Sequence, residues 1–520
     1  MAGGDHTPSG GAVAGPRPPA TRLTTPVLVA LAGSGIVVTL LVTGELHRRP
    51  RVGAALVVAL IVAALWVALR RAVPRLGLRR LTDWIVIWLP LAAIVGPSAA
   101  LPGHAQIFAY RLLLVALVPA TIVVYGSTRR LPHLGPRVLV ALLAAWYAWL
   151  LISLLWAPYQ GAALRYLLIL ATNAILLAAV AAAGSSDRRL RLLMTTLAIG
   201  YGAAVLIGVV EATTGHHLSS SLSAVSARGS LAFAATGFFF NPNDFATFIA
   251  MVWPFLLLAL LLSRLRLRLL ALAGMGLGLA CLLATGSRAS LIAIGLSTLA
   301  CAGWVVWQRW VRHRKLIVVV CIVTLAALGA FMLNSSQNPL ARQFQVQSLV
   351  PTAGTSQESG GVRVGLTKAG FTVSRRYYFL GVGPGNAEPL VKALPSPPAE
   401  FANLHDWWLE VFVDGGLPAF ALYVLLYIGL LAVCLRVAKA SRGSLDDPFL
   451  AIIAAGTGLS LVGFIVGSLG PSTVVGFAPL WILFGLVFAV ARRAHERGLS
   501  PDREPVMSPD REGGLGAVKT

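Results

Sequence analysis

Five groups of polar residues interrupt an otherwise apolar chain, and their side chains suit phosphate and sugar chemistry. The first is Phe238-Phe-Phe-Asn-Pro-Asn-Asp-Phe-Ala246. Pro242 fits the first turn of a helix with Asn241 as its N-cap. Capping alone would account for Asn241. It does not require Asn243 and Asp244, whose polar groups would enter the membrane and should face a protein interior. The second is Thr285-Gly-Ser-Arg-Ala-Ser290, a break between two apolar runs. Two readings stand for Arg288: an interfacial side chain that snorkels, or a phosphate clamp, since a guanidinium matches phosphate oxygens two at a time. The third is Arg363, with Lys368, Arg375 and Arg376 beyond it. These cations suit either plain solvation or contact with anionic headgroups or a lipid diphosphate. The fourth is His405 with Glu410. Asp406 beside the imidazole would orient it and raise its pKa toward neutrality, and such a histidine can take a proton from a sugar hydroxyl. The fifth is Arg111 and Arg165, cations inside or at the edge of apolar runs, where a charge is costly.

These residues need a scaffold, and the composition names it. Of the 520 residues, 57% are hydrophobic and 12% charged, with mean hydropathy +0.79. Apolar runs of about 18 to 22 residues recur, the length a helix needs to cross the hydrocarbon core. The expected fold class is therefore all-α, a polytopic bundle of about fourteen transmembrane helices. The spans fall near 26–44, 53–70, 82–98, 107–125, 138–157, 162–183, 192–212, 243–262, 269–285, 289–307, 316–333, 417–435, 448–469 and 474–491. Residues 1–22 and 492–520 read as disordered tails. The segment 23–491 reads as one membrane domain.

A formal charge of +23 invites a nucleic-acid reading. The cations instead sit in short clusters between apolar runs, as the positive-inside rule expects. Arg70, Arg129, Arg188, Arg264, Arg312 and Arg436 mark such clusters after every even-numbered span. Both termini are then cytoplasmic, and all five polar groups lie at or near the outer face. Arg48, Arg49 and Arg51 run against the scheme. Two exoplasmic segments are long, 212–241 and 334–414. The second is expected to carry short interfacial helices with Trp407 and Trp408 at headgroup level. Gly415 and Gly416 then break the helix before Pro418 starts a span. The four cysteines, Cys281, Cys301, Cys321 and Cys434, lack metal-site spacing and read as buried thiols. The sequence carries no P-loop, dinucleotide-binding glycine motif, HExxH or Asp-x-Asp pair.

Together the motifs resemble the O-antigen ligase and polysaccharide polymerase family of bacterial envelope glycosyltransferases. The matching elements are Asn241-Pro-Asn-Asp-Phe-Ala246, Gly286-Ser-Arg-Ala289, Arg363 followed by Gly381-Val-Gly-Pro-Gly-Asn386, and Asn403-Leu-His-Asp-Trp-Trp-Leu-Glu410. The extended first element looks closer to teichuronic-acid-type polymerases than to lipopolysaccharide ligases. Two departures stand out. The family often has an arginine just before the Thr-Gly upstream of the first element. Here Ala234 and Ala235 occupy that region, and the nearest upstream arginine is Arg228. The usual His-Asn is His405-Asp406.

The resemblance implies a donor glycan on undecaprenyl diphosphate at the outer face of the bacterial cytoplasmic membrane. An acceptor hydroxyl, on a glycan or lipid, attacks the anomeric carbon. It implies catalytic roles for Arg288, Arg363, His405 and Glu410. Substrate contacts would fall to Asn241, Asn243, Asp244, Asp406, Arg228, Arg375, Arg376, Arg111 and Arg165. No cofactor or metal is implied, and other polysaccharide assembly and export proteins are the natural partners. A flippase or other transporter is the competing reading, and it would place its polar residues near the bilayer midplane. A scaffolding protein would leave the outer-face motifs unexplained.

Overall fold

A computed structural model describes residues 78–101, 104–126, 136–221, 232–307, 319, 322, 356–395, 403–441, 449–471 and 475–499. The expected spans 26–44, 53–70 and 316–333, the outer parts of both tails, Arg228 and Cys321 lie outside the described residues. Thirteen helices are described. They are α1 (Leu78–Val95), α2 (Ala109–Gly126), α3 (Arg137–Ile152), α4 (Gln160–Ala183), α5 (Asp187–Thr214), α6 (Pro242–Leu262) and α7 (Leu265–Thr285). They continue as α8 (Arg288–Trp307), α9 (Ser356–Arg376), α10 (Ala387–Lys392), α11 (Trp407–Ala440), α12 (Phe449–Gly467) and α13 (Ala478–Glu496). A short two-stranded ribbon, Ala100–Leu101 against His104–Phe108, joins α1 to α2.

Nine helices among the described residues are long and apolar enough to cross a membrane, and α1 and α2 contain shorter apolar stretches. The chain is an all-α polytopic membrane protein. The most enclosed helix is α13, which packs on α4, α11 and α12, while α6 packs on α7, α8 and α12. Trp146, Tyr423, Trp481 and Phe484 fill the space between α3, α11 and α13.

Caps fix where several helices begin and end. Ser186 accepts a hydrogen bond from Arg189 N at the start of α5, and Gly215 closes that helix in the left-handed region. Asn241 caps α6, Gly286 closes α7, and the Asp406 carboxylate caps α11. These last three residues all belong to the polar motifs. The motifs therefore end the helices as well as decorate them.

The helices alternate in direction, so the two ends of the bundle differ chemically. One end collects Arg188, Arg189, Arg191, Arg264, Arg266, Arg268, Arg436 and Arg493. There Asp187 pairs with Arg493 and Arg497, and Asp83 pairs with Arg189 at 2.6 Å. The other end carries the starts of α4, α6, α8, α11 and α13 and the finishes of α5, α7 and α12.

Two expectations are corrected. Helix α11 begins at Trp407, ten residues before the expected span, and is broken at Gly416 (φ 71°, ψ −174°). Trp407 and Trp408 do not form a headgroup belt. Trp407 is buried and donates to the Tyr423 hydroxyl at 2.7 Å. Trp408 packs edge-to-face against Tyr423 and Tyr427 and donates to Ile465 O at 3.1 Å. The helix break lets these first turns fold inward over the bundle.

The break is held by backbone from the long loop. Val382 N donates to Val413 O, Gly383 N to Asp414 O, and Leu417 N to Phe379 O, all within 3.0 Å. Trp149 and Trp156 donate to the carbonyls of Gly415 and Gly381. Irregular backbone near a bilayer needs such partners. A side chain on Gly416 would overlap the Phe379–Gly381 backbone, so the two segments touch main chain to main chain. A second, smaller apolar core joins α9, α10 and the start of α11 through Leu366, Val373, Val391, Leu404 and Val413.

Candidate functional site

The turn Gly467–Pro471 after α12 is where the polar motifs meet. On one side is the start of α6. The Thr247 hydroxyl donates to Asn243 O at 2.9 Å and lies 3.4 Å from both Gly467 O and Ser290 Oγ. Ser290 in turn accepts from Ser287 Oγ at 3.1 Å, one residue before Arg288. On the other side, Trp407 N donates to Ser468 O at 3.4 Å. The His405 ring hydrogen-bonds the Pro471 backbone. The first, second and fourth motifs are thus linked through one five-residue turn. The third joins by charge, because Arg363 acts on both His405 and Asp406.

Local geometry sets each functional side chain. Asn241 Oδ1 accepts from Asn243 N at 2.8 Å, so its capping role is realised. Asn243 and Asp244 are half-buried in the first turn of α6. Arg288 is the first residue of α8 and is exposed, as is Arg363 on α9. His405 sits in the left-handed region (φ 49°), and Asn403 Oδ1 accepts its backbone N–H at 2.9 Å. A bulky residue held there is strained, a feature that clusters at functional sites.

The protonation of His405 departs from expectation. Burial, reinforced by the Arg363 guanidinium, holds the imidazole below its ordinary pKa, against a smaller opposing effect of the Pro471 hydrogen bond. Asp406 is engaged elsewhere: Oδ1 accepts from Trp408 N at 3.0 Å and Leu409 N at 3.3 Å. Burial raises the Asp406 pKa, while those two amides and Arg363 pull it back. His405 is therefore neutral near pH 7, with its free lone pair available as a base.

Glu410 hydrogen-bonds Tyr166 of α4. The remaining candidates are dispersed. Arg375 and Arg376 are exposed on the last turn of α9, about 18 Å along the helix from Arg363 at 1.5 Å per residue. Arg111 lies over the Phe108 ring at 5.0 Å. Arg165 is exposed near the start of α4. No group of three His, Cys, Asp or Glu side chains that could hold a metal occurs among the described residues.

Two buried carboxylates escaped the sequence reading. Glu211, 1% exposed near the end of α5, accepts from Thr236 N (2.6 Å), Thr236 Oγ1 (2.9 Å) and Gly237 N (2.7 Å). His217 Nδ1 lies 3.4 Å from it. This carboxylate fixes the Thr-Gly turn that leads into Phe238 and the cap at Asn241. Asp414 does the same for the glycine loop, accepting from Gly385 N, Asn386 N and Ala387 N. Their one signal in the sequence is an acidic residue at the outer end of an apolar run. Glu211→Ala is expected to lower both the melting temperature in detergent and the transfer rate, because it leaves two buried backbone donors unpaired at about 1–3 kcal/mol each. Glu211→Gln, which keeps one acceptor oxygen, should fall between. Equal behaviour of all three proteins would reject the turn-holding role.

Residues 273–424 match the family described as O-antigen ligase (Wzy_C), a stretch that holds Arg288, Arg363, the glycine loop and His405. The teichuronic acid biosynthesis protein TuaE of Bacillus subtilis (strain 168) is 25% identical over 407 residues, covering 76% of this chain and 81% of that protein. The chain is thus similar to the O-antigen ligase family over residues 273–424 and to a teichuronic acid biosynthesis protein over most of its length.

Proposed function

We propose that the protein transfers a glycan from an undecaprenyl-diphosphate donor to an acceptor hydroxyl at the outer face of the bacterial cytoplasmic membrane. The observation that carries this reading is the meeting of three motifs at the Gly467–Pro471 turn, with Arg363 beside it. That turn lies at the bundle end opposite the basic clusters. The positive-inside rule favours a cytoplasmic basic end, which supports the reading with both ends of the chain inside and the 334–414 loop with the site outside. A site at the rim rather than mid-bundle also supports a transferase over a transporter.

The chemistry is a displacement at the anomeric carbon. The acceptor oxygen forms the new glycosidic bond as its proton passes to neutral His405. The bond from the anomeric carbon to the diphosphate breaks, and the electron pair leaves with the lipid diphosphate. Arg288 and Arg363 meet the negative charge that grows on this leaving group. Asn243, Asp244 and Glu410 supply polar contacts for sugar hydroxyls, and the fixed array holds donor and acceptor in attacking geometry. The named relative acts in teichuronic acid biosynthesis, which favours chain extension over a single transfer.

The test is reconstitution with a synthetic undecaprenyl-diphosphate oligosaccharide, followed by analysis of product length. Long polymers are expected, and transfer only to an added foreign acceptor would indicate a ligase instead. Arg288→Ala should slow transfer by roughly 100-fold, as for loss of one fixed oxyanion partner, while the protein inserts and elutes normally. Full-rate product from this variant would reject Arg288 as a diphosphate partner.

A further inference from the structure

The far end of α9 is built differently from the end that meets His405. Its core-facing side carries Leu366, Ala369, Gly370 and Val373, all buried. The opposite side exposes Val364, Lys368, Phe371 and Arg375, a cation alternating with an apolar group at helical spacing. After Arg376 the chain makes a strained turn. Tyr378 (φ 53°) and Phe379 (φ 58°) are consecutive non-glycine residues in the left-handed region. The Ser374 carbonyl ties the turn by accepting from both Tyr377 N and Phe379 N. The strain pushes Tyr378 outward to 85% exposure, with Leu380 at 48% beside it.

This exposed turn is continuous with the lipid-facing side of a span. Leu417, the first residue after the Gly416 break, donates its N–H to Phe379 O and is itself exposed. From Leu417 the outward stripe runs through Leu425, Ile428 and Leu435 down α11. Phe412 bridges the two segments by contacting Phe371, Phe379 and Phe420. Tyr378 and Leu380 therefore stand beside Leu417, where the exposed apolar stripe of α11 begins. Arg375 and Arg376 lie in the last turn of α9, just before the strained turn. Neither arginine has an acidic partner among the described residues.

We infer that Arg375, Arg376, Phe371, Tyr378 and Leu380 form a docking surface for anionic phospholipids of the leaflet at the site end. The aromatic and aliphatic groups enter the headgroup region, and the two guanidinium groups take lipid phosphates. The surface rests on α11 being a membrane span and not on the reaction proposed above. Its role is to hold α9, and so Arg363, at a fixed height above the membrane.

The experiment uses the full chain carrying Tyr378→Cys with a bimane label, in vesicles of phosphatidylcholine with and without phosphatidylglycerol. The cysteines Cys281, Cys301 and Cys434 are buried, and the unsubstituted chain put through the same labelling gives the background. Headgroup-level nitroxide lipids should quench the label and aqueous iodide should not. The phosphatidylglycerol quencher should be favoured over the phosphatidylcholine one by about fivefold per arginine, less at high salt. Arg375→Gln/Arg376→Gln should abolish that preference and leave the lipid contact. Iodide quenching without lipid quenching, equal quenching by both lipids in the parent, or displacement of the label by a soluble acidic polysaccharide would each overturn the inference. A second label site at Leu380→Cys must give the same pattern.

Discussion

His405→Ala is expected to cut glycan transfer by roughly 10²–10⁴-fold, the usual contribution of a general base, with insertion and elution unchanged. Normal transfer would remove His405 from the mechanism. The pH profile of the unaltered protein tests the same assignment. The active form is the neutral imidazole, and burial with Arg363 favours that form. Activity should hold steady as pH falls through about 6.5, the ordinary histidine value, and decline only below it. Arg363→Gln removes one of the two causes that lower the pKa. Its residual activity should therefore lose its acid limb at higher pH than the parent. A limb that stays in place or moves to lower pH would reject the Arg363–His405 coupling even if the rate falls.

Asp414→Ala should have the largest effect on the fold. The carboxylate accepts from Gly385 N at 2.9 Å, Asn386 N at 3.1 Å and Ala387 N at 2.8 Å, the last two buried. Removing it leaves Gly385 N and Ala387 N without an acceptor at about 1–3 kcal/mol each, while Asn386 N keeps Gly383 O at 3.2 Å. Such a loss is a large part of the stability of a typical domain, about 5–15 kcal/mol. The expected result is loss of the monodisperse peak in detergent and little folded yield. Asp414→Asn, which keeps an acceptor oxygen but turns an N–H₂ toward an N–H, should be intermediate. An alanine variant that elutes and melts like the parent would show that the glycine loop is held by its packing alone.

The spans were legible because membrane helices need about twenty apolar residues, and α4, α6, α7, α8 and α12 fall close to their expected bounds. The caps Asn241 and Asp406 also follow from local chemistry. Three things were not legible. The start of α11 was hidden because Gly415 and Gly416 read as a helix end, whereas the helix resumes after one residue of non-helical backbone. The shift on His405 was read from Asp406, its neighbour in sequence, but its neighbours in space are Arg363 and Pro471. Glu211 and Asp414 carry no mark in the sequence beyond an acidic residue near the end of an apolar run. Only the tertiary fold brings Thr236 and Gly385 to them. In each case a short-range cue was overruled by a partner distant along the chain.

The backbone pairing at the Gly416 break also constrains the order of synthesis. Phe379, Gly381 and Gly383 are made before Val413, Asp414 and Leu417, yet they share hydrogen bonds and direct contact with them. The long loop therefore waits, unfinished, until the next span emerges from the ribosome. Docking of the loop and entry of α11 into the bilayer become one event. Arg363 and His405, carried on opposite sides of that joint, reach their working positions only once both have happened.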